Sequence, residues 1–84
     1  MTLAPNQLAR LRWQCRRGTQ ELDAFLLRFM RHRAALASAA ELAGFERLLA
    51  CEDRDLQRWF LAYQTCPDRE LGALVETIRA LPQL

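Results

Sequence analysis

The stretch Thr19-Gln20-Glu21-Leu22-Asp23-Ala24-Phe25-Leu26-Leu27-Arg28-Phe29-Met30 decides the architecture of this chain. Its apolar residues Leu22, Phe25, Leu26, Phe29 and Met30 fall at i, i+3, i+4, i+7 and i+8, which is one continuous stripe on an α-helix. A half-buried strand would alternate apolar and polar residues, and no part of the chain does so. Thr19 stands just ahead of the stripe, where its hydroxyl can accept from a backbone N–H of the first turn and cap the helix.

The same periodicity extends in both directions. Toward the N-terminus, residues 6–16 predict a first short helix with Asn6 as cap, Leu8 and Leu11 inward, and Trp13 and Cys15 on neighbouring sides. Gly18 is expected to stop it, because glycine takes the left-handed conformation at a helix C-terminus without strain. Toward the C-terminus, Ser38 followed by Glu41 reads as a capping box for a third helix that buries Leu42, Phe45, Leu48 and Leu49. The acidic run Glu52-Asp53-Arg54-Asp55 supplies a cap and first-turn negative charge for a fourth, with Leu56, Trp59, Phe60 and Tyr63 at helical spacing. Thr65 and Asp68 bracket Pro67 before a fifth helix carrying Leu71, Leu74, Val75, Ile78 and Leu81, which Pro82 is expected to end. Connections of two to six residues predict antiparallel neighbours. The expected fold is therefore all-α, a compact five-helix bundle of short antiparallel helices, with residues 1–84 forming a single domain.

Composition agrees with a small globular protein. Hydrophobic residues make up 51% of the 84 and charged residues 26%, whereas disorder is marked by low hydrophobicity with high net charge. No apolar run approaches the ~20 residues that cross a bilayer, and Met1-Thr2-Leu3-Ala4-Pro5 lacks the basic and apolar regions of a secretory signal. These features predict a cytoplasmic, bacterial-type protein without membrane insertion. Cys15, Cys51 and Cys66 are odd in number and widely spaced, so they suggest reduced thiols in place of a disulfide framework or a zinc site. Net charge is only +2, but residues 1–33 hold seven arginines against Glu21 and Asp23, and residues 34–84 hold five against eight acids. The basic N-terminal part can steer the chain toward an acidic partner.

Catalysis needs a nucleophile beside a base, or a metal with three or four ligands. This chain has one histidine, His32, read as a surface or boundary residue between Arg31 and Arg33, and no nucleophile at motif spacing. Arg10, Arg12, Arg16 and Arg17 with Trp13 interleaved could meet nucleic acid, yet Glu21 and Asp23 interrupt the patch, and a DNA reader presents a basic face on a recognition helix. A small basic helical adaptor or nucleic-acid-binding domain stays open as the alternative. Arg17-Gly18-Thr19-Gln20-Glu21 is explicable as a capped junction, with a cation ending one helix and an acid opening the next. That account leaves unexplained the polar groups gathered beside Trp13, since arginine and tryptophan are common interface anchors.

Trp13-Gln14-Cys15-Arg16-Arg17-Gly18-Thr19-Gln20-Glu21-Leu22-Asp23 closely resembles the signature of the succinate dehydrogenase flavinylation factors, the SdhE family, whose motif is Arg-Gly-x-x-Glu. Phe45-Glu46-Arg47-Leu48-Leu49-Ala50-Cys51-Glu52-Asp53-Arg54-Asp55-Leu56 with Trp59 is similar to that family's third and fourth helices, and the resemblance covers roughly residues 10–81. It implies a five-helix, non-enzymatic assembly factor that binds the flavoprotein subunit of succinate dehydrogenase, or of fumarate reductase, and promotes attachment of FAD to a client histidine. The chain is further expected to be a monomer that binds neither nucleic acid nor a cofactor of its own, the FAD belonging to the client. By position the docking motif maps to Arg17, Gly18 and Glu21, and proximity adds Arg16 and Trp13. A bound flavin is not expected, because no glycine-rich phosphate loop sits between a strand and a helix.

Overall fold

A proline opens the first of the five helices found among the described residues. The computed structural model describes residues 5–82, so the reading of Met1–Ala4 as free of a secretory signal lies outside the described residues. The helices are α1 (Pro5–Gln14), α2 (Gln20–His32), α3 (Ala39–Leu49), α4 (Asp53–Phe60) and α5 (Arg69–Arg79), and the described residues contain no strand. Among them no helix is long and apolar enough to cross a membrane.

Several boundaries differ from the sequence expectation for local reasons. The Pro5 ring presets the helical φ at the first position, where a missing N–H costs nothing. Asn6 is thus already inside α1, and its Oδ1 accepts from the Gln7 N–H at 3.0 Å without capping the helix. The helix ends at Gln14, earlier than expected, because its last turn tightens: the Cys15 N–H is shared between the Leu11 and Arg12 carbonyls at 3.1 and 3.2 Å, and the Arg16 N–H donates to Trp13 at 3.1 Å. Gly18 does have the left-handed conformation, φ +87°, but it lies beyond the helix end and turns the chain into α2. Thr19 caps α2 as anticipated, its hydroxyl accepting from Leu22 N–H at 3.3 Å.

Only half of the capping box at α3 forms. Ser38 accepts from the Glu41 N–H at 3.1 Å, but the Glu41 carboxylate turns away to accept two bonds from the Arg33 guanidinium at 2.9 and 2.8 Å. A charged, two-pronged partner outcompetes a single backbone N–H. Glu52 occupies the cap position of α4 without a side-chain capping bond, and Asp68 caps α5 by accepting from Leu71 N–H at 3.0 Å. Tyr63 falls outside α4, which stops at Phe60, and is exposed. Pro82 does not end α5, since the helix closes at Arg79 with Ala80 as its cap.

The core is contributed by every helix. Leu22, Leu26, Phe29, Phe45, Leu48, Leu56, Phe60 and Ile78 are among its fully enclosed side chains, with Cys15 beside them, and α1 contributes Leu11. Phe29 of α2 stacks on Phe45 of α3 with centroids 3.9 Å apart, and Phe25 stacks on Phe60 of α4 at 5.0 Å. The α2 backbone lies against α4 and α5, α3 lies against α5, and α4 against α5. The consecutive helices α4 and α5 lie against each other, and α2 meets α3 through the Phe29–Phe45 stack. The short connections act as corners, and the α4–α5 connection spans residues 61–68, longer than anticipated. His32 sits at the boundary as expected, with Nε2 enclosed and unpartnered among the described residues.

Candidate functional site

The turn between α1 and α2 brings the five sequence-predicted residues to one corner. Trp13, in the last turn of α1, is 75% exposed, and Arg16, Gly18 and Glu21 are exposed as well. Among the described residues the Arg16 guanidinium and the Glu21 carboxylate have no hydrogen-bond or ion-pair partner, so both are available to an incoming molecule. An ideal Cβ built on Gly18 would meet nothing within 4 Å. Its positive φ, not close packing, is what requires glycine there. Glu21 lies in the first turn of α2 together with Asp23, where negative charge offsets the partial positive charge of the helix terminus.

Arg17 behaves differently from the other four. Its side chain is only 17% exposed and forms an ion pair, Nε donating to Asp53 Oδ1 at 2.8 Å. Nη2 donates to the Cys51 carbonyl at 2.9 Å and Nη1 to the Gln14 carbonyl at 3.1 Å. The Arg17 backbone N–H donates to Asp23 Oδ1 at 2.7 Å. The motif arginine thus joins the end of α1, the α3–α4 corner and the first turn of α4, while its backbone is tied to α2. Glu21 does not brace Arg17, and Asp53 takes that place.

Asp53, Asp23 and the two carbonyls were not picked out from sequence. Asp53 stands 36 residues from Arg17 and carries an adequate local explanation as a first-turn acid of α4, so no short-range signal links the two. Cys15, just before the turn, is fully enclosed, and burial pushes its thiol up to about 12, partly opposed by the nearby Arg17 charge. Cys51 is half-buried, and its thiol is also raised, mainly by desolvation. Neither thiol is poised as a nucleophile, which needs a lowered value.

Basic residues extend from the corner along α1 and α2. Arg10, Arg12, Arg16 and Arg31 are exposed and lack a carboxylate partner among the described residues. Arg12 and Arg31 flank a cleft of about 360 Å³ floored by Leu27 and Met30. The corner therefore offers an exposed indole, one free acid, and a surrounding of uncompensated arginines. Such an arrangement suits recognition of a protein surface, whereas it supplies no group placed to make or break a bond.

Comparison with known proteins agrees with this division. A family profile described as "Flavinator of succinate dehydrogenase" matches residues 9–82. The chain is 50% identical over 78 residues to the FAD assembly factor SdhE of Xylella fastidiosa strain 9a5c, spanning 93% of this chain and 80% of the relative. It is 42% identical over 72 residues to the protein of that name from Shewanella oneidensis, spanning 86% of this chain and 88% of the relative. A third similar protein, from Yersinia pseudotuberculosis, shares 38% identity over 72 residues, 86% of this chain and 82% of the relative.

Proposed function

The chain belongs to the family of succinate dehydrogenase flavinators, and from that premise we propose that it works by docking its exposed α1–α2 corner onto the flavoprotein subunit of the enzyme. It is an assembly factor for FAD attachment and not itself an enzyme. The observation that carries the docking reading is the exposure of Trp13, Arg16, Gly18 and Glu21 on one turn, with the Arg16 and Glu21 side chains left without partners among the described residues.

A partner without catalytic groups accelerates a reaction by stabilising the reactive arrangement of its client. Here that arrangement is the one in which the client histidine faces the flavin carbon to which it becomes bonded. Holding two reacting groups at the correct separation and angle removes most of the entropic barrier to their meeting. The factor must then bind the aligned conformation more tightly than the unaligned one, since equal affinity for both shifts nothing. Glu21 accepts a hydrogen bond from a client donor, Arg16 donates to a client carboxylate or carbonyl, and Trp13 covers apolar client surface.

The FAD stays with the client in this reading. Dinucleotides are ordinarily held at a strand, glycine-rich loop and helix N-terminus, and the described residues contain no strand. The factor acts as a cytoplasmic monomer, binds no nucleic acid, and serves the fumarate reductase flavoprotein by the same chemistry.

Co-expression with a succinate dehydrogenase flavoprotein subunit tests the proposal directly. Covalently bound flavin, scored by in-gel fluorescence under denaturing conditions, should rise when the factor is present and fall when Glu21→Ala replaces it. Equal fluorescence with wild type and Glu21→Ala would count against docking through this corner, and retention on duplex DNA at low salt would favour a nucleic-acid partner.

A further inference from the structure

We infer that Asp53 is a positioning residue for client docking: it holds the Arg17 guanidinium, and through it keeps the 16–21 turn in the shape that meets the client. The inference rests on the docking reading above. It removes Arg17 from the set of direct contacts and adds a residue from α4.

The first argument is the donor inventory of the guanidinium. Arginine has five N–H donors, and its paired recognition of a carboxylate uses two parallel ones along one edge. In this chain the Nε donor goes to Asp53 Oδ1 at 2.8 Å and Nη2 donates to the Cys51 carbonyl at 2.9 Å, so that edge is engaged within the fold. Nη1 is engaged by the Gln14 carbonyl at 3.1 Å, and the side chain is 17% exposed. An incoming client carboxylate would have to displace Asp53 to obtain the same geometry.

The second argument concerns what gives the turn its shape. Gly18 is exposed, and beyond its chain neighbours no atom lies within 4 Å of the place a Cβ would occupy, so packing does not wedge the turn from outside. Beyond the Arg16 N–H bond to Trp13 and the Thr19 cap, whose hydroxyl and carbonyl accept from the Leu22 and Asp23 N–H groups, the turn is held by the two arms of Arg17: its backbone N–H on Asp23 at 2.7 Å and its side chain on Asp53, Cys51 and Gln14. Asp53 is the sole charged acceptor among the three side-chain contacts. Without it the turn samples more conformations, and the client must order it on binding, which weakens affinity without altering the chemistry that follows.

The affinity of the full-length factor for the apo flavoprotein subunit, and covalent flavin formed at saturating factor, separate this role from a purely structural one. Asp53→Ala should weaken binding about tenfold, with Asp53→Asn, which keeps an acceptor, partly restoring it. At saturating factor the flavinylation rate should match wild type. Arg17→Met combined with Asp53→Ala should be no weaker than Arg17→Met alone, because both act through one contact. Asp55→Ala, which removes another acid from the same turn of α4, should bind within about twofold of wild type. Three results would overturn the inference: Asp53→Ala and Asp53→Asn both binding like wild type, losses that multiply in the double variant, or an equal loss from Asp55→Ala. If Glu21→Ala also binds like wild type, the docking reading fails as well; if Glu21→Ala is weak and Asp53→Ala is not, only the brace is wrong.

Discussion

Arg17 and Glu21 share one sequence motif and have opposite environments. Three of the five side-chain donors of Arg17 are engaged within the fold, and Glu21 is free among the described residues. The two therefore have different consequences when changed: loss of Arg17 disturbs the turn, and loss of Glu21 removes a contact. Cys15, two positions before Arg17, makes a prediction at the same scale. Its thiol is enclosed and pushed up to about 12 by burial, so it should resist iodoacetamide at pH 8 in the native protein and react once urea is added, as followed by mass spectrometry. The raised value also has a stability sign. In the unfolded chain the thiol ionises near ~8.5 and in the folded chain only near 12, so its contribution is complete below about pH 8.5 and is lost as pH rises toward 12. Cys15→Ser should flatten that alkaline decline in denaturant titrations; an unchanged slope would show that Cys15 is not its source. The identities of Trp13, Gly18 and Glu21 as candidates were legible in the sequence because each is local to one turn. The role of Arg17 was not, because its acceptor comes from 36 residues away.

Among the elements, α4 shows how a helix end can carry strain. After Phe60 the chain closes with Tyr63 N–H donating to the Arg58 carbonyl at 2.8 Å and Ala62 N–H to Trp59 at 3.3 Å, the paired pattern of a Schellman motif. The position that must be left-handed is Ala62, with φ +62°. An L-residue there costs ~1–2 kcal/mol, partly offset because glycine loses more freedom on folding, ~0.5–1 kcal/mol. Ala62→Gly should therefore raise unfolding stability by about 0.5–1 kcal/mol in urea titration. A loss of stability would mean that the alanine methyl contributes packing not apparent from its exposure. The same scale explains which helix signals succeeded. Thr19, Ser38 and Asp68 act as caps because the acceptor and the N–H it serves are three residues apart in sequence. The Glu41 half of the capping box failed because Arg33, on the preceding corner, offered two charged donors.

Over the whole molecule, the arginines differ in whether the fold pairs them. Arg17, Arg33, Arg47, Arg54 and Arg79 are paired with acids, whereas among the described residues Arg10, Arg12, Arg16 and Arg31 around the candidate corner, and Arg28, Arg58 and Arg69 elsewhere, have no carboxylate partner. An unpaired basic surface accelerates encounter with an acidic partner, and salt screens that effect over a Debye length of ~10 Å at 0.1 M. Association with the flavoprotein subunit should therefore slow by about tenfold between low and high salt, with the dissociation rate little changed, as read by stopped-flow mixing. A salt-independent association rate would argue that the arginines do not face the client. Spacing within a dozen residues was enough to give the class and count of the helices, the inward stripes, most caps and the exposed motif. The tertiary structure alone decided that α2 lies against α4 and α5, with α3 against α5, because helix stripes state which face is buried and not what buries it. It also brought the Arg17 guanidinium onto Asp53, Cys51 and Gln14. An ion pair between the α1–α2 turn and the first turn of α4 exists only once packing has brought two distant, locally self-sufficient segments within 2.8 Å.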